Sequence, residues 1–86
     1  MSQQELYSRG ALIARAEEAL RLLSEPVFVD AFEATKALFT KEWLEADSVQ
    51  SRELCWAKVA GLDEVRRQLR RIVGVGEHAS QTPEEE

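Results

Sequence analysis

The chain has 86 residues, 44% of them apolar and 31% charged, with one cysteine (Cys55) and one histidine (His78). That is room for one small soluble domain, and it excludes an internal disulfide and an ordinary zinc site, which needs four ligands. The formal charge of −5 is uneven: residues 1–75 carry twelve acids against eleven bases, and the rest of the deficit is Glu77, Glu84, Glu85 and Glu86. A near-neutral body gives no bulk-charge argument for nucleic acid or a membrane surface.

No apolar run approaches the ~20 residues that span a bilayer. The start, MSQQELYSRG, lacks the basic and apolar stretches of a signal peptide. The sequence therefore predicts a reducing compartment, with no secretion and no transmembrane segment. A domain this small buries only about 60% of its unfolded surface, so self-association is the remaining source of extra stability.

The first segment runs from Gln3 to Leu23. Ser2 and Glu5 have the spacing of a capping box, in which each side chain satisfies a backbone N–H at a helix start. Leu6, Ile13, Ala16, Leu20 and Leu23 form one helical stripe, with Arg9, Glu17, Glu18 and Arg21 mostly off it. Gly10 costs about 1 kcal/mol relative to alanine inside a helix, which predicts either a bend or a close backbone neighbour there. Ser24-Glu25-Pro26 ends this segment and opens the next. Proline suits a first helical turn, and Ser24 is the expected N-cap. So short a link predicts that the first two helices form an antiparallel hairpin.

The second segment, Pro26 to Ala46, carries Phe28, Phe32, Phe39 and Trp43 on one stripe. Ala31 and Thr35 lie between them, and Val27, Ala34 and Leu38 widen it. It reads as the central helix with most of the large core side chains. Asp47-Ser48 breaks the pattern, and either residue can cap the next helix. The third segment, Val49 to Val73, repeats Cys55, Leu62 and Leu69 every seven residues, and likewise Val65 and Ile72, with Trp56 and Val59 alongside. Gly61 and Lys58 interrupt that seam, which favours packing within a bundle over a free coiled coil. Gly74 is placed as a C-cap. Residues 76–86, GEHASQTPEEE, lack apolar periodicity and read as a disordered acidic tail. The expected architecture is all-α: a single helical domain over 1–75, made of a helical hairpin and a third long helix, with the tail over 76–86.

Arg66, Arg67, Arg70 and Arg71 are the densest charge cluster. Arginine forks suit phosphate or carboxylate. A simpler account is that cations near a helix C-terminus offset its dipole, with Asp63 and Glu64 one turn away as partners. Trp43 and Trp56 suit an interface hot spot, or a small core with the indole N–H turned outward. Their positions on or beside apolar stripes favour the core, although the charged neighbours of Trp43 leave its indole edge wet. Cys55 on the seam reads as a buried structural thiol, since the sole histidine lies in the tail. Carboxylate pairs such as Glu17-Glu18 and Glu42…Glu45 would need a cleft to act as acid and base, and three helices leave little room for one. No residue is assigned a catalytic, metal-binding or cofactor-binding role, and the chain reads as a non-enzyme without cofactors.

The stretch from residue 14 to 74 resembles small uncharacterised proteins of tailed bacteriophages and prophages, often encoded among capsid and packaging genes. The resemblance is carried by Ser24-Glu25-Pro26-Val27-Phe28, by Trp43 before a short polar loop, by Ser51-Arg52-Glu53, and by Leu62-Asp63-Glu64-Val65 before a basic end. It implies a role in the particle, its packaging or a host contact, in the host cytoplasm or the virion, and carries no activity. The leading expectation is thus a phage structural or assembly-accessory protein. It would bind itself, as a dimer by default or as a ring, and a further phage or host protein, through the third-segment seam and the Trp43 region. One alternative is a packaging or regulatory factor touching nucleic acid through Arg66, Arg67, Arg70 and Arg71. Another is a phage inhibitor of a host complex, whose acidic tail imitates nucleic-acid charge.

Overall fold

The computed structural model describes residues 7–81. They form three helices, α1 (Arg9–Ser24), α2 (Pro26–Glu45) and α3 (Val49–Gln81), with no strand among the described residues. The all-α, three-helix composition read from the sequence is the one the chain adopts, but the hairpin expected between the first two helices is instead formed by α2 and α3, with α1 packed on the end of α3. At 1.5 Å per residue α3 is about 50 Å long. The contacts divide the chain into two compact units that share α3: α1 with the part of α3 from Gln68 onward, and α2 with the part up to Arg67.

The helix starts are set by local chemistry. Ser8 caps α1, its hydroxyl accepting from the Ala11 N–H at 3.1 Å. Tyr7 and Ser8 are not helical, so a helix running unbroken from Gln3 is corrected to one starting at Arg9. The expected Ser2–Glu5 capping box lies outside the described residues. Gly10 accordingly sits in the first turn, where its cost is small, and open space surrounds it.

Pro26 occupies the first turn of α2 as expected, but Ser24 is not its cap. The Ser24 hydroxyl donates backward to the Leu20 carbonyl at 2.9 Å, closing α1. Glu25 is the N-cap, with extended backbone and a carboxylate that accepts from the Val27 N–H at 3.4 Å. At α3 the choice between Asp47 and Ser48 falls to Ser48. Its hydroxyl accepts from the Ser51 N–H at 3.0 Å and donates to the Ser51 hydroxyl at 2.9 Å.

In the first unit, α1 and the end of α3 run antiparallel with small residues at their contact. Ala16 and Ala19 are buried on α1, Gly76 and Ala79 on α3. A Cβ built on Gly76 would overlap the Ala16 Cβ and stand 2.7 Å from the Leu12 carbonyl oxygen. The close backbone approach that Gly10 suggested is therefore found at Gly76. The inward stripe of α1 is the buried Ala16 and Ala19 with the half-buried Leu12 and Leu23, while Leu20 is exposed. Arg9 reaches from the start of α1 to the far end of α3. Its Nε donates to the Ala79 carbonyl at 2.8 Å and its Nη2 to that of Ser80 at 3.4 Å. Carbonyls in the last helical turn have no intrahelical donor, and a cation there also offsets the dipole.

This packing moves two boundaries. α3 does not end at Gly74, which lies inside the helix with no positive φ. The tail expected from residue 76 is helical through Gln81, because Gly76 and Ala79 are buried against α1 and Arg9 holds the terminal carbonyls. Thr82 to Glu86 lie outside the described residues.

In the second unit, α2 and the first part of α3 form an antiparallel hairpin across Ala46, Asp47 and Ser48. Phe32, Cys55 and Val59 are buried at its centre, flanked by Phe28, Phe39 and Leu62. The Phe28 and Phe32 rings are 6.1 Å apart and tilted. Three ion pairs cross the hairpin: Glu33 with Arg66 at 2.5 Å, Lys36 with Asp63 at 3.0 Å and Glu42 with Lys58 at 3.6 Å. The numbers rise on α2 as they fall on α3, as antiparallel pairing requires. Each pair is partly exposed and worth at most about 1 kcal/mol, but together they fix register, since a slip of one turn would bring Lys36 toward Arg66.

Candidate interaction surfaces

The four arginines singled out from the sequence have separate roles. Arg66 is half-buried, its side chain 23% exposed, and is held twice by α2. Its Nη2 donates to Glu33, and its guanidinium lies 4.0 Å from the centre of the Phe32 ring. A flat cation over an aromatic face, anchored at its edge by a carboxylate, clamps the two helices. Arg67 pairs with Glu64 one turn back on the same helix. Arg70 and Arg71 are exposed and form no ion pair among the described residues. Two of the four cations are thus already matched by carboxylates.

The two tryptophans come together at the loop end of the second unit. They line an open groove of about 430 Å³ with Val49, Arg52 and Glu53. Trp43 is 39% exposed and Trp56 62%, so the core placement favoured from their stripes is corrected. Trp56 is next to Cys55 in the chain, and a step of 100° along the helix takes it off the buried line that Cys55 and Val59 occupy. The groove is wide and open, with aromatic walls and one charge of each sign. That arrangement suits an apolar or amphipathic side chain of a partner.

Exposed apolar side chains are unevenly distributed. Of the eleven large ones among the described residues, eight lie in the second unit: Val27, Leu38, Trp43, Leu44, Val49, Leu54, Trp56 and Val65. Val27 and Leu38, expected to widen the α2 core stripe, are among them, and so is Val65 of the expected α3 seam.

The remaining candidates are simply placed. Cys55 is buried on the α2-facing side of α3. Lys58, which interrupts the expected seam, pairs with Glu42 and lies 5.5 Å from the centre of the Phe39 ring. His78 lies within α3 rather than in a tail, and is exposed. Among the described residues no group of three acidic, histidine or cysteine side chains converges as a metal site. No helix among them is long and apolar enough to cross a membrane.

Sequence reasoning missed Arg9 and Gly76. Arg9 reads as a solvated charge and Gly76 as part of a tail; only a fold that apposes residues some sixty to seventy positions apart reveals them. Comparison with known protein families, with curated proteins and with solved structures finds no match.

Proposed function

We propose that this chain is a non-enzymatic protein–protein interaction module that self-associates and holds a further protein. The concentration of exposed apolar side chains on the α2–α3 hairpin carries this reading. Trp43, Val49 and Trp56 line one groove and Val27 and Leu44 share one face of α2, whereas a small monomer normally scatters such residues singly. The Trp43–Trp56 groove is the surface offered to the further protein, because tryptophan gives large contact area at little entropic cost. In the phage or prophage setting that the resemblance over residues 14–74 implies, this is the work of a structural or assembly-accessory protein.

Molar mass by light scattering, at low and high salt, tests the reading. A defined oligomer that survives high salt is expected, since apolar contacts are not screened. A monomer at the highest attainable concentration would count against self-association.

A further inference from the structure

α2 turns its phenylalanines toward α3. Its opposite side carries a second line: Val27, Asp30, Ala34, Ala37, Lys41 and Leu44. Their spacing alternates three and four residues, which keeps all six within about 100° of the helix circumference, the spacing of a helix–helix seam. All six are exposed, Val27 at 74% and Leu44 at 70%. Asp30 and Lys41 form no ion pair among the described residues. An ordinary solvated face is mostly charged; this line of six has two apolar ends, two central alanines and a single charge of each sign, with Glu45 joining the face only at the last residue of the helix.

The order of these residues is self-complementary. About a point between Thr35 and Lys36, Val27 is the counterpart of Leu44, Asp30 of Lys41, and Ala34 of Ala37. Two such helices laid antiparallel across a two-fold axis would oppose apolar side chains at both ends, form two Asp30–Lys41 ion pairs, and meet through alanines in the middle. Alanine lets helix axes come to the near end of the usual range of about 8–10 Å. A parallel arrangement would instead set aspartate against aspartate and lysine against lysine. We propose that a second copy of this chain docks on the outer seam of α2, giving a two-fold dimer in which each copy presents the same surface. This rests on the self-association proposed above and assigns it a surface separate from the Trp43–Trp56 groove.

Sedimentation equilibrium of the full chain tests it, with Ala34→Glu, Asp30→Lys, Lys41→Asp and the double swap Asp30→Lys/Lys41→Asp. The altered side chains are exposed in the single chain, so helicity by circular dichroism should be retained. Ala34→Glu should raise the dissociation constant on the order of 100-fold by trapping an unpaired charge at the centre. Each single reversal should raise it roughly 10-fold, and the double swap should return it to within roughly 3-fold of the starting value. An oligomer that none of these variants weakens would overturn the α2 seam while leaving self-association on another face. A wild-type chain that stays monomeric would overturn both.

Discussion

Gly61 and Gly76 both lie inside α3, yet their surroundings give the same substitution opposite signs. Beside Gly61 there is open space, so Gly61→Ala should stabilise by up to about 1 kcal/mol through helix propensity alone. At Gly76 a methyl group would collide with Ala16 and the Leu12 carbonyl, so the helices must separate. Overpacking of this kind costs about 1–3 kcal/mol, more than the propensity gain. Urea unfolding of the two variants should therefore move the midpoint in opposite directions. The sequence shows both glycines but not the difference. Glycine carries no side-chain signal, and what distinguishes the two is a neighbour some sixty residues away.

At the scale of elements, the hairpin of α2 and α3 depends on Arg66 more than on the other arginines. Arg66→Ala removes the Glu33 pair, the contact with the Phe32 ring and the packing of a half-buried stem. A loss of about 1–2 kcal/mol is expected by thermal or chemical unfolding. Arg71→Ala, at an exposed position with no ion pair among the described residues, should stay within about 0.5 kcal/mol. Much of the element structure was legible in the sequence, because it is local. Ser48 and Pro26 mark helix starts by their own chemistry, and phenylalanine spacing marks the inner face of α2. The inner face of α1 was less so. Alanine is nearly neutral in an apolar pattern, and the sequence favoured Leu20 over Ala19, whereas close packing against Gly76 selects the smaller residue. The end of α3 was misread for a related reason. GEHASQ is polar in composition, and only burial of Gly76 and Ala79 makes it helical.

For the molecule as a whole, modest burial means that the proposed self-association would supply a large share of the stability. Six apolar side chains among the described residues are buried, and three of them are alanines. A core of that kind leaves a small margin for an 86-residue chain. If folding is linked to dimerisation, melting temperature must rise with protein concentration, by about 4 °C for each tenfold increase at this size. Calorimetry over a hundredfold range reads this directly, and a flat melting temperature would indicate a chain that folds alone. The candidate surfaces were partly legible. Trp43 and Trp56 stood out by residue type, but their shared groove needed the turn at Asp47 and Ser48. The arginine cluster stood out by composition, yet its pairing with α2 is a property of the hairpin.

The continuity of α3 has one more consequence. Contacts separate the chain into two units, but the boundary at Arg67 and Gln68 falls within an unbroken helix. Hydrogen bonds of the i to i−4 kind span it, so neither unit can melt without leaving a stretch of α3 attached to the other. Stripped of α1, the stretch from Gln68 to Gln81 would be a single helix near the ~12–15 residues at which isolated helices in water become marginal. Fraying would then run along α3 to where packing resumes. The boundary at Arg67 therefore sets how far a disturbance of the second unit travels, and a partner gripping the Trp43–Trp56 end would slow amide exchange along α3 up to that residue.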